Sequence, residues 1–181
     1  MFLDIGTRAQ TTRYSIIIDN KPRSGVNVLC NLDHFHYPFK DNSFQVVRIW
    51  DYLEHFEDII KVLEEIYRIL RPNGVLKIMV PHFSNYYAFT DPTHKHFFGI
   101  KTMDYLIPNT KLYTLGYTNA KYEKLKASIG LLNETRGLKK FILKLINRFS
   151  EHYERYFAFI LPVSGIYYEL KAIKQVEKEK V

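Results

Sequence analysis

The sequence lacks several features that would narrow its fold class at once. Cys30 is the only cysteine among 181 residues, so a disulfide bond within the chain is excluded. No run of about 18 apolar residues occurs, and no membrane-spanning helix is therefore expected. The opening residues, MFLDIG, lack the basic and apolar regions of a secretory signal peptide. Together these absences favour a cytoplasmic globular protein.

The chain carries a positive charge, formally +7, from 26 basic and 19 acidic side chains. Such an excess is one sign of a nucleic-acid partner. Here, however, much of it lies in residues 136–148 and in a mixed-charge tail that begins near Lys171, which is expected to be a solvated end. A nucleic-acid partner is therefore not favoured. The length predicts one domain covering residues 1–181.

Short apolar runs rich in β-branched residues predict the strands of a sheet. They cover residues 2–5, 14–19, 26–30, 44–50, 75–81, 121–129 and 165–174. Between the fourth and fifth runs, apolar residues follow helical spacing over residues 57–70, and the sequence RPNG then ends the helix. A strand, a helix and a strand joined this closely predict parallel pairing with a right-handed crossover.

Polar residues follow nearly every predicted strand. Ligands of parallel sheets bind beyond the carboxyl ends of the strands, so these side chains are candidates for a site. The stretch of residues 82–106 that follows the fifth strand is long, aromatic and polar, and loops of this length are often functional.

A second amphipathic segment covers residues 136–149. Its apolar positions predict a surface helix packed on the core, and its basic residues leave a membrane-surface helix or an oligomer contact as alternatives. The apolar positions at helical spacing are Leu138, Phe141, Ile142, Leu145, Ile146 and Phe149.

The order of these pieces resembles the class I S-adenosylmethionine-dependent methyltransferases, in their small type 11-like form. The resemblance rests on LDIG, IIIDNKP, CNLDHFHYPFKDNSFQVV, DYLEHFEDIIKVLEEIYRILRPNGVLKIMVPH and DPTHKHFF. It implies a Rossmann-like α/β fold with a mostly parallel sheet and an antiparallel last strand. It also implies S-adenosylmethionine as cofactor and a small-molecule, sugar or lipid-linked methyl acceptor.

The resemblance assigns the cofactor to the ends of the first four strands. Asp19 would bind the ribose hydroxyls, Asn31 the adenine amino group, and Leu32 would lie against the adenine ring. A turn residue is the alternative for Asp19, and a simple cap for Asn31. The methionine portion would lie beside Asp4, Gly6 and Thr7, flanked by Trp50 and Asp51.

The methyl acceptor would lie against the aromatic stretch. His82 and His94 are the candidate catalytic bases, because histidine titrates near neutrality. His55, Tyr86, Asp91 and His96 are the candidate acceptor-binding residues. The pair Glu54 and His55 has an alternative role as an N-cap of the following helix. His82, Asp91, His94 and His96 also suggest a zinc site, because imidazole and carboxylate groups can ligate zinc. The family that the chain resembles carries the sequence DPTH without a metal, so no metal is predicted.

The first turn departs from the family. A second glycine is expected after Gly6, where backbone must approach the cofactor, and Arg8 stands there instead. Arg8 would either obstruct the cofactor or pair with its carboxylate. The link from Gly6 to Ser15 is also short for a crossover helix, which is expected to be shortened or absent. The alternative function is therefore a non-catalytic scaffold for nucleic acid or a membrane surface. A homodimer is also compatible with the sequence.

Overall fold

One sheet organises the protein. The computed structural model describes residues 1–6, 15–130 and 136–174. The strands are β1 Phe2–Ile5, β2 Ser15–Asp19, β3 Val28–Leu29, β4 Phe44–Trp50, β5 Leu70–Pro81, β6 Tyr122–Ile129 and β7 Gly165–Ala172. The helices are α1 Ile59–Ile69, α2 Tyr87–Thr90, α3 Gly137–Arg148 and α4 Ser150–Tyr156, with 3-10 turns at Leu53–His55, Thr102–Leu106 and Tyr113–Leu115.

The strands lie in the order β3-β2-β1-β4-β5-β7-β6. The first five pair in parallel, whereas β7 runs antiparallel to both β5 and β6. This arrangement confirms the predicted mostly parallel sheet with an antiparallel last strand. The predicted shortening of the first crossover concerns residues 7–14, which lie outside the described residues.

The sheet is buried in its centre, as the apolar composition of its strands requires. Leu3 and Ile5 of β1 and Val47 and Ile49 of β4 are fully buried. The predicted third strand is reduced to two residues, because β3 pairs only with Ile18 and Asp19 at the end of β2. Because β1 to β5 run parallel, their carboxyl ends lie at the same edge of the sheet.

The helix between β4 and β5 begins at a cap that the sequence interpretation missed. The Asp58 carboxylate accepts hydrogen bonds from the backbone N–H groups of Ile60 and Lys61. The alternative in which Glu54 and His55 cap this helix is therefore wrong, since both lie in the preceding 3-10 turn. Capping by aspartate satisfies the N–H groups that a helix leaves unpaired at its start.

The sequence RPNG ends the helix as predicted, but it lies within β5 instead of before it. Phe44 of β4 pairs with Leu70, and the next pair joins Val46 to Val75, so residues 71–74 form a bulge. Asn73 takes a positive φ of 61°, which asparagine tolerates better than most residues. The fifth strand consequently begins at Leu70 and not at the predicted residue 75.

Two surface predictions need correction. The predicted core packing of residues 136–149 is wrong for most of its apolar stripe, because Leu143 and Ile146 alone are the buried residues of α3. Leu138, Phe141, Ile142, Leu145 and Phe149 are exposed instead. The tail predicted to be solvated from Lys171 is part of β7 as far as Ala172, and its residues 175–180 lie outside the described residues. None of the described helices has the length and apolar character needed to cross a membrane.

A buried ion pair ties α1 to the loop before β4. The Glu65 carboxylate accepts hydrogen bonds from the Tyr37 backbone N–H at 2.6 Å and from two nitrogens of Arg68 at 2.6 and 2.9 Å. Arg68 also donates to Phe39 O and to the Asp41 carboxylate. Burial by itself would raise the pKa of Glu65, but these donors outweigh it and hold that pKa below its ordinary value of 4.5.

We expect this pair to make the fold sensitive to acid. Because the pKa of Glu65 is lower in the folded chain than in the unfolded chain, its ionisation stabilises the fold above about pH 4.5. That contribution is lost as the pH falls through the folded pKa. The free energy of unfolding of the wild type should therefore approach that of Glu65→Gln as the pH is lowered from 7 to about 3. Denaturant unfolding at both pH values measures this gap, and a gap independent of pH would contradict the expectation.

Candidate functional site

Two clefts open at the carboxyl ends of the parallel strands. The larger cleft has a volume of about 470 Å³ and lies between Glu54, His94 and the start of β7 at Gly165. The smaller cleft, about 340 Å³, lies between Asn20 and the turn that contains His55. Asp51 and Asp91 line both, so the two clefts adjoin.

Asp19 ends β2 and is buried, with 1% of its surface exposed. One carboxylate oxygen, Oδ1, accepts a hydrogen bond from the Lys21 backbone N–H at 2.9 Å. The other, Oδ2, is buried and has no hydrogen-bond partner among the described residues. A buried carboxylate oxygen without a donor is costly to the fold. The bond to the Lys21 N–H matches the turn residue considered as the alternative, whereas the buried Oδ2 suits a ligand hydroxyl group, and the predicted contact with a ribose stays a prediction.

Tyr52 packs against the first turn, a contact that the sequence interpretation missed. Gly6 has a positive φ of 77°, and a side chain at this position would overlap the Tyr52 ring. Burial raises the pKa of Tyr52 to about 12, and the charge of Asp19 raises it as well. Tyr52 is therefore a neutral phenol near Asp19 and lines the smaller cleft. Thr7 and Arg8, which follow Gly6, lie outside the described residues.

Asp4 is fully buried and forms an ion pair across the sheet. Arg48 of β4, its register partner, donates to Oδ1 at 2.5 Å and to Oδ2 at 2.7 Å. Both carboxylate oxygens are thus engaged by a fixed cation. This geometry gives Asp4 a structural role, and its predicted contact with a cofactor stays a prediction.

The other residues predicted for the cofactor are spread along the same edge. The Asn31 side-chain oxygen accepts a hydrogen bond from the Asp33 N–H at 3.1 Å, as in the simple cap considered above, and Asn31 is exposed. Leu32 is buried. Trp50 contacts Tyr167 edge to face, with ring centroids 6.2 Å apart. Their predicted contacts with adenine and methionine stay predictions.

A chain of hydrogen bonds orients His55. Asp91 Oδ1 accepts from the Thr93 hydroxyl at 2.6 Å and from the Thr93 backbone N–H at 2.9 Å. Hydrogen bonds from Thr93, first from its hydroxyl, lower the pKa of Asp91. Since the Thr93 proton points to Asp91, its oxygen accepts from His55 Nδ1 at 2.8 Å. His55 Nδ1 is therefore protonated, and Nε2 carries the lone pair when the ring is neutral.

A hydrogen bond to Nδ1 also fixes the orientation of the His94 ring. Its Nδ1 lies 3.1 Å from Ala88 O, and because a carbonyl only accepts, Nδ1 carries the proton. Its Nε2 faces the buried Glu54 carboxylate at 3.8 Å. The His55 and His94 rings meet edge to face, with centroids 4.7 Å apart. Glu54, His55 and His94 thus form a cluster whose possible ligand atoms lie within 4.8 Å of one another, and within the described part of the chain this is the group that could hold a cation.

The other residues predicted to act as a base or to bind the methyl acceptor lie apart from this cluster. His82 is fully buried: its Nδ1 accepts from the Ser84 N–H at 3.0 Å and its Nε2 faces Glu154 at 3.2 Å. It lines neither cleft, so its geometry is structural and the predicted catalytic role is not supported. His96 Nε2 bonds to Phe56 O at 3.0 Å and anchors the loop. Tyr86 is exposed and contacts the ring of its neighbour.

The strand order with an antiparallel β7, and an acidic residue that ends β2 beside a cleft, define a class I methyltransferase fold. Comparison with known proteins agrees: residues 12–78 match the family model described as "Methyltransferase domain". The resemblance to S-adenosylmethionine-dependent methyltransferases of the type 11 group, predicted from the sequence, is confirmed.

Solved structures share the fold over nearly the whole chain. A similar one is an S-adenosylmethionine-dependent methyltransferase from Mesorhizobium loti, at 12% identity and a TM-score of 0.55, covering 94% of this chain and 89% of that one. Another, from Archaeoglobus fulgidus, has 20% identity and a TM-score of 0.54, covering 94% and 85%. At such identities the likeness shows the fold alone.

A curated relative matches a shorter part. Demethylmenaquinone methyltransferase of Lactobacillus johnsonii is 43% identical over 47 residues, which are 26% of this chain and 19% of that protein. The match therefore spans about a fifth of the relative's length.

Proposed function

We propose that this chain transfers a methyl group from S-adenosylmethionine to an acceptor bound in the larger cleft. The observation that carries the proposal is the buried Oδ2 of Asp19, which has no hydrogen-bond partner among the described residues. It lies at the end of β2, where a ribose hydroxyl could supply the missing donor. Asn31 and Leu32 follow β3 and would border the adenine. S-adenosylmethionine supplies an electrophilic methyl group on its sulfonium.

The larger cleft contains groups that suit an acceptor with a hydroxyl or amino group. His94 Nε2 is the lone-pair nitrogen of its ring and would take the acceptor proton. The Glu54 carboxylate, 3.8 Å away, would stabilise the imidazolium that forms. Asp91 and Thr93 hold His55 in one orientation beside it. A small molecule, a sugar or a lipid-linked group could each present such an acceptor atom.

We expect Asp19→Ala to weaken S-adenosylmethionine binding by at least tenfold, about 1.4 kcal/mol, because hydrogen bonds to a charged acceptor contribute about that much or more. Calorimetric titration of the folded variant measures the loss. Asp41→Ala is the control, since it removes an exposed aspartate that pairs with Arg68 away from the clefts. Unchanged affinity in folded Asp19→Ala would remove Asp19 from the cofactor site.

The same titration separates this function from the scaffold alternative, which rests on Arg8. Tighter binding by Arg8→Gly would mean that the arginine obstructs the cofactor, and weaker binding that it pairs with the cofactor's carboxylate. If neither the wild type nor Arg8→Gly binds at millimolar cofactor, methyl transfer by this chain is ruled out.

A further inference from the structure

Helix α3 and the segment after α4 present an apolar face to solvent. Leu138 is 73% exposed, Phe141 65% and Ile160 72%. Monomeric proteins rarely expose contiguous apolar surface of this kind without an interaction partner. We define the apolar face as the exposed residues Leu138, Phe141, Ile142, Leu145, Phe149, Phe157, Ile160 and Leu161.

The fold fixes the direction of this face. The opposite side of α3 packs on the protein through the buried Leu143 and Ile146. Beside them, the Asn147 side chain accepts from the Ile129 N–H at 2.8 Å and donates to Ile129 O at 2.8 Å, which clamps α3 to the end of β6. The helix therefore cannot rotate to bury the apolar stripe without breaking these contacts.

Basic residues accompany the apolar stripe. Residues 136–148 contain five basic side chains and no acidic one, although the whole chain has a net charge of only +7. Lys140, Lys144 and Arg148 are four residues apart and form a row along α3 next to the stripe. None of the five forms an ion pair with an acidic side chain in the described part of the chain.

We propose that the apolar face and its basic row dock on the surface of an anionic lipid bilayer. Apolar side chains on one stripe of a helix, with lysine and arginine beside them, are the pattern of helices that lie in the membrane interface. Anionic headgroups complement the five cations, and the acyl boundary takes the leucine and phenylalanine side chains. A nucleic acid would pair with the cations but would leave the apolar stripe in water.

The groove beside the docking surface shares one lining residue with the larger cleft. A groove of about 440 Å³ lies between Ile146 of α3 and Ile160, and Ser164 is among its lining residues. Ser164 also lines the larger cleft, beside Gly165. The docking itself does not depend on the proposed methyl transfer. Where both hold, this shared lining residue favours a lipid-linked acceptor, and that step rests on the proposed function.

Cosedimentation with vesicles tests the docking. We expect the wild type to bind vesicles of phosphatidylcholine with phosphatidylglycerol, and to bind phosphatidylcholine alone at least tenfold more weakly. Phe141→Ser with Leu145→Ser should lower binding to the anionic vesicles at least tenfold, and so should Lys140→Gln with Lys144→Gln. Raising the salt concentration should weaken the wild type and have less effect on the lysine variant.

The matched control is Leu115→Ser with Lys111→Gln, which changes an exposed leucine and an exposed lysine elsewhere and should bind like the wild type. All substituted residues are exposed, and circular dichroism checks that each variant remains folded. Equal binding to both vesicle types, absence of binding, or full binding by the two α3 variants would each overturn the proposal. The proposal would also be overturned if the wild type bound no vesicles and formed a dimer in analytical ultracentrifugation that the serine variant dissociates. The apolar face would then be covered by a second copy of the chain.

Discussion

Replacing His94 by glutamine is expected to lower the rate of methyl transfer by about 100- to 10,000-fold, the contribution usual for a positioned general base. The bond from Nδ1 to Ala88 O leaves Nε2 as the atom that accepts a proton, and the Glu54 carboxylate faces that atom. Glutamine can keep a hydrogen bond to Ala88 O but cannot take up the proton. The loss should therefore fall on the rate of transfer and leave cofactor affinity unchanged.

The measurement is the release of S-adenosylhomocysteine with an acceptor that the wild type methylates, followed as a function of pH. His34→Gln is the matched control, because His34 is exposed and lies outside both clefts. At each pH the rate of His94→Gln should fall far below that of the wild type, and the control should match the wild type. A variant with the wild-type rate would exclude His94 as the base, and a parallel loss of cofactor affinity would indicate a structural role instead.

Arg48→Met is expected to destabilise the fold by about 3 to 5 kcal/mol, because it leaves a buried charge without its partner. The Asp4 carboxylate is fully buried and both its oxygens bond to Arg48, which is itself largely covered. Methionine fills a similar volume, so the loss reports the missing cation and not a cavity.

Denaturant unfolding measures this effect, and the neighbouring strand supplies a control. Lys77, the register partner of Arg48 on β5, pairs with Glu169 at 3.4 Å in a more exposed setting. Lys77→Met should therefore cost less than about 1 kcal/mol. Replacing both partners, Asp4→Leu with Arg48→Met, should recover most of the lost stability. Equal effects of Arg48→Met and Lys77→Met would show that the Asp4 charge is not effectively buried.

The sequence predicts the elements well because their signals are local. Short apolar runs placed β4 and the end of β5, helical spacing placed α1 within two residues at each end, and the polar strand ends located the edge that holds the clefts. The strand order depends on contacts between distant segments, and no order was predicted from the sequence. The family resemblance implied only the mostly parallel sheet with its antiparallel last strand. The length of the third strand was overestimated, because it depends on pairing with β2 and not on the composition of the segment itself.

Side-chain direction could not be predicted from the sequence. His82 and His94 look equally suitable as bases, yet one points into the protein and the other into the larger cleft. Asp4 belongs to a motif, but its partner Arg48 is 44 residues away. In α3 both Leu143 and Leu145 are apolar, so spacing alone does not decide which of them the core receives.

The position of Ser164 between the groove and the larger cleft has a geometric consequence. Because Ser164 lines both the groove beside the apolar face and the cleft that contains His94, the fold sets the height of the imidazole above whatever the apolar face rests on. A chain resting on a bilayer would therefore reach only groups held at that height above the lipid headgroups. The choice of methyl acceptor would then depend on how far its reacting group projects from the membrane, in addition to the chemical identity of that group.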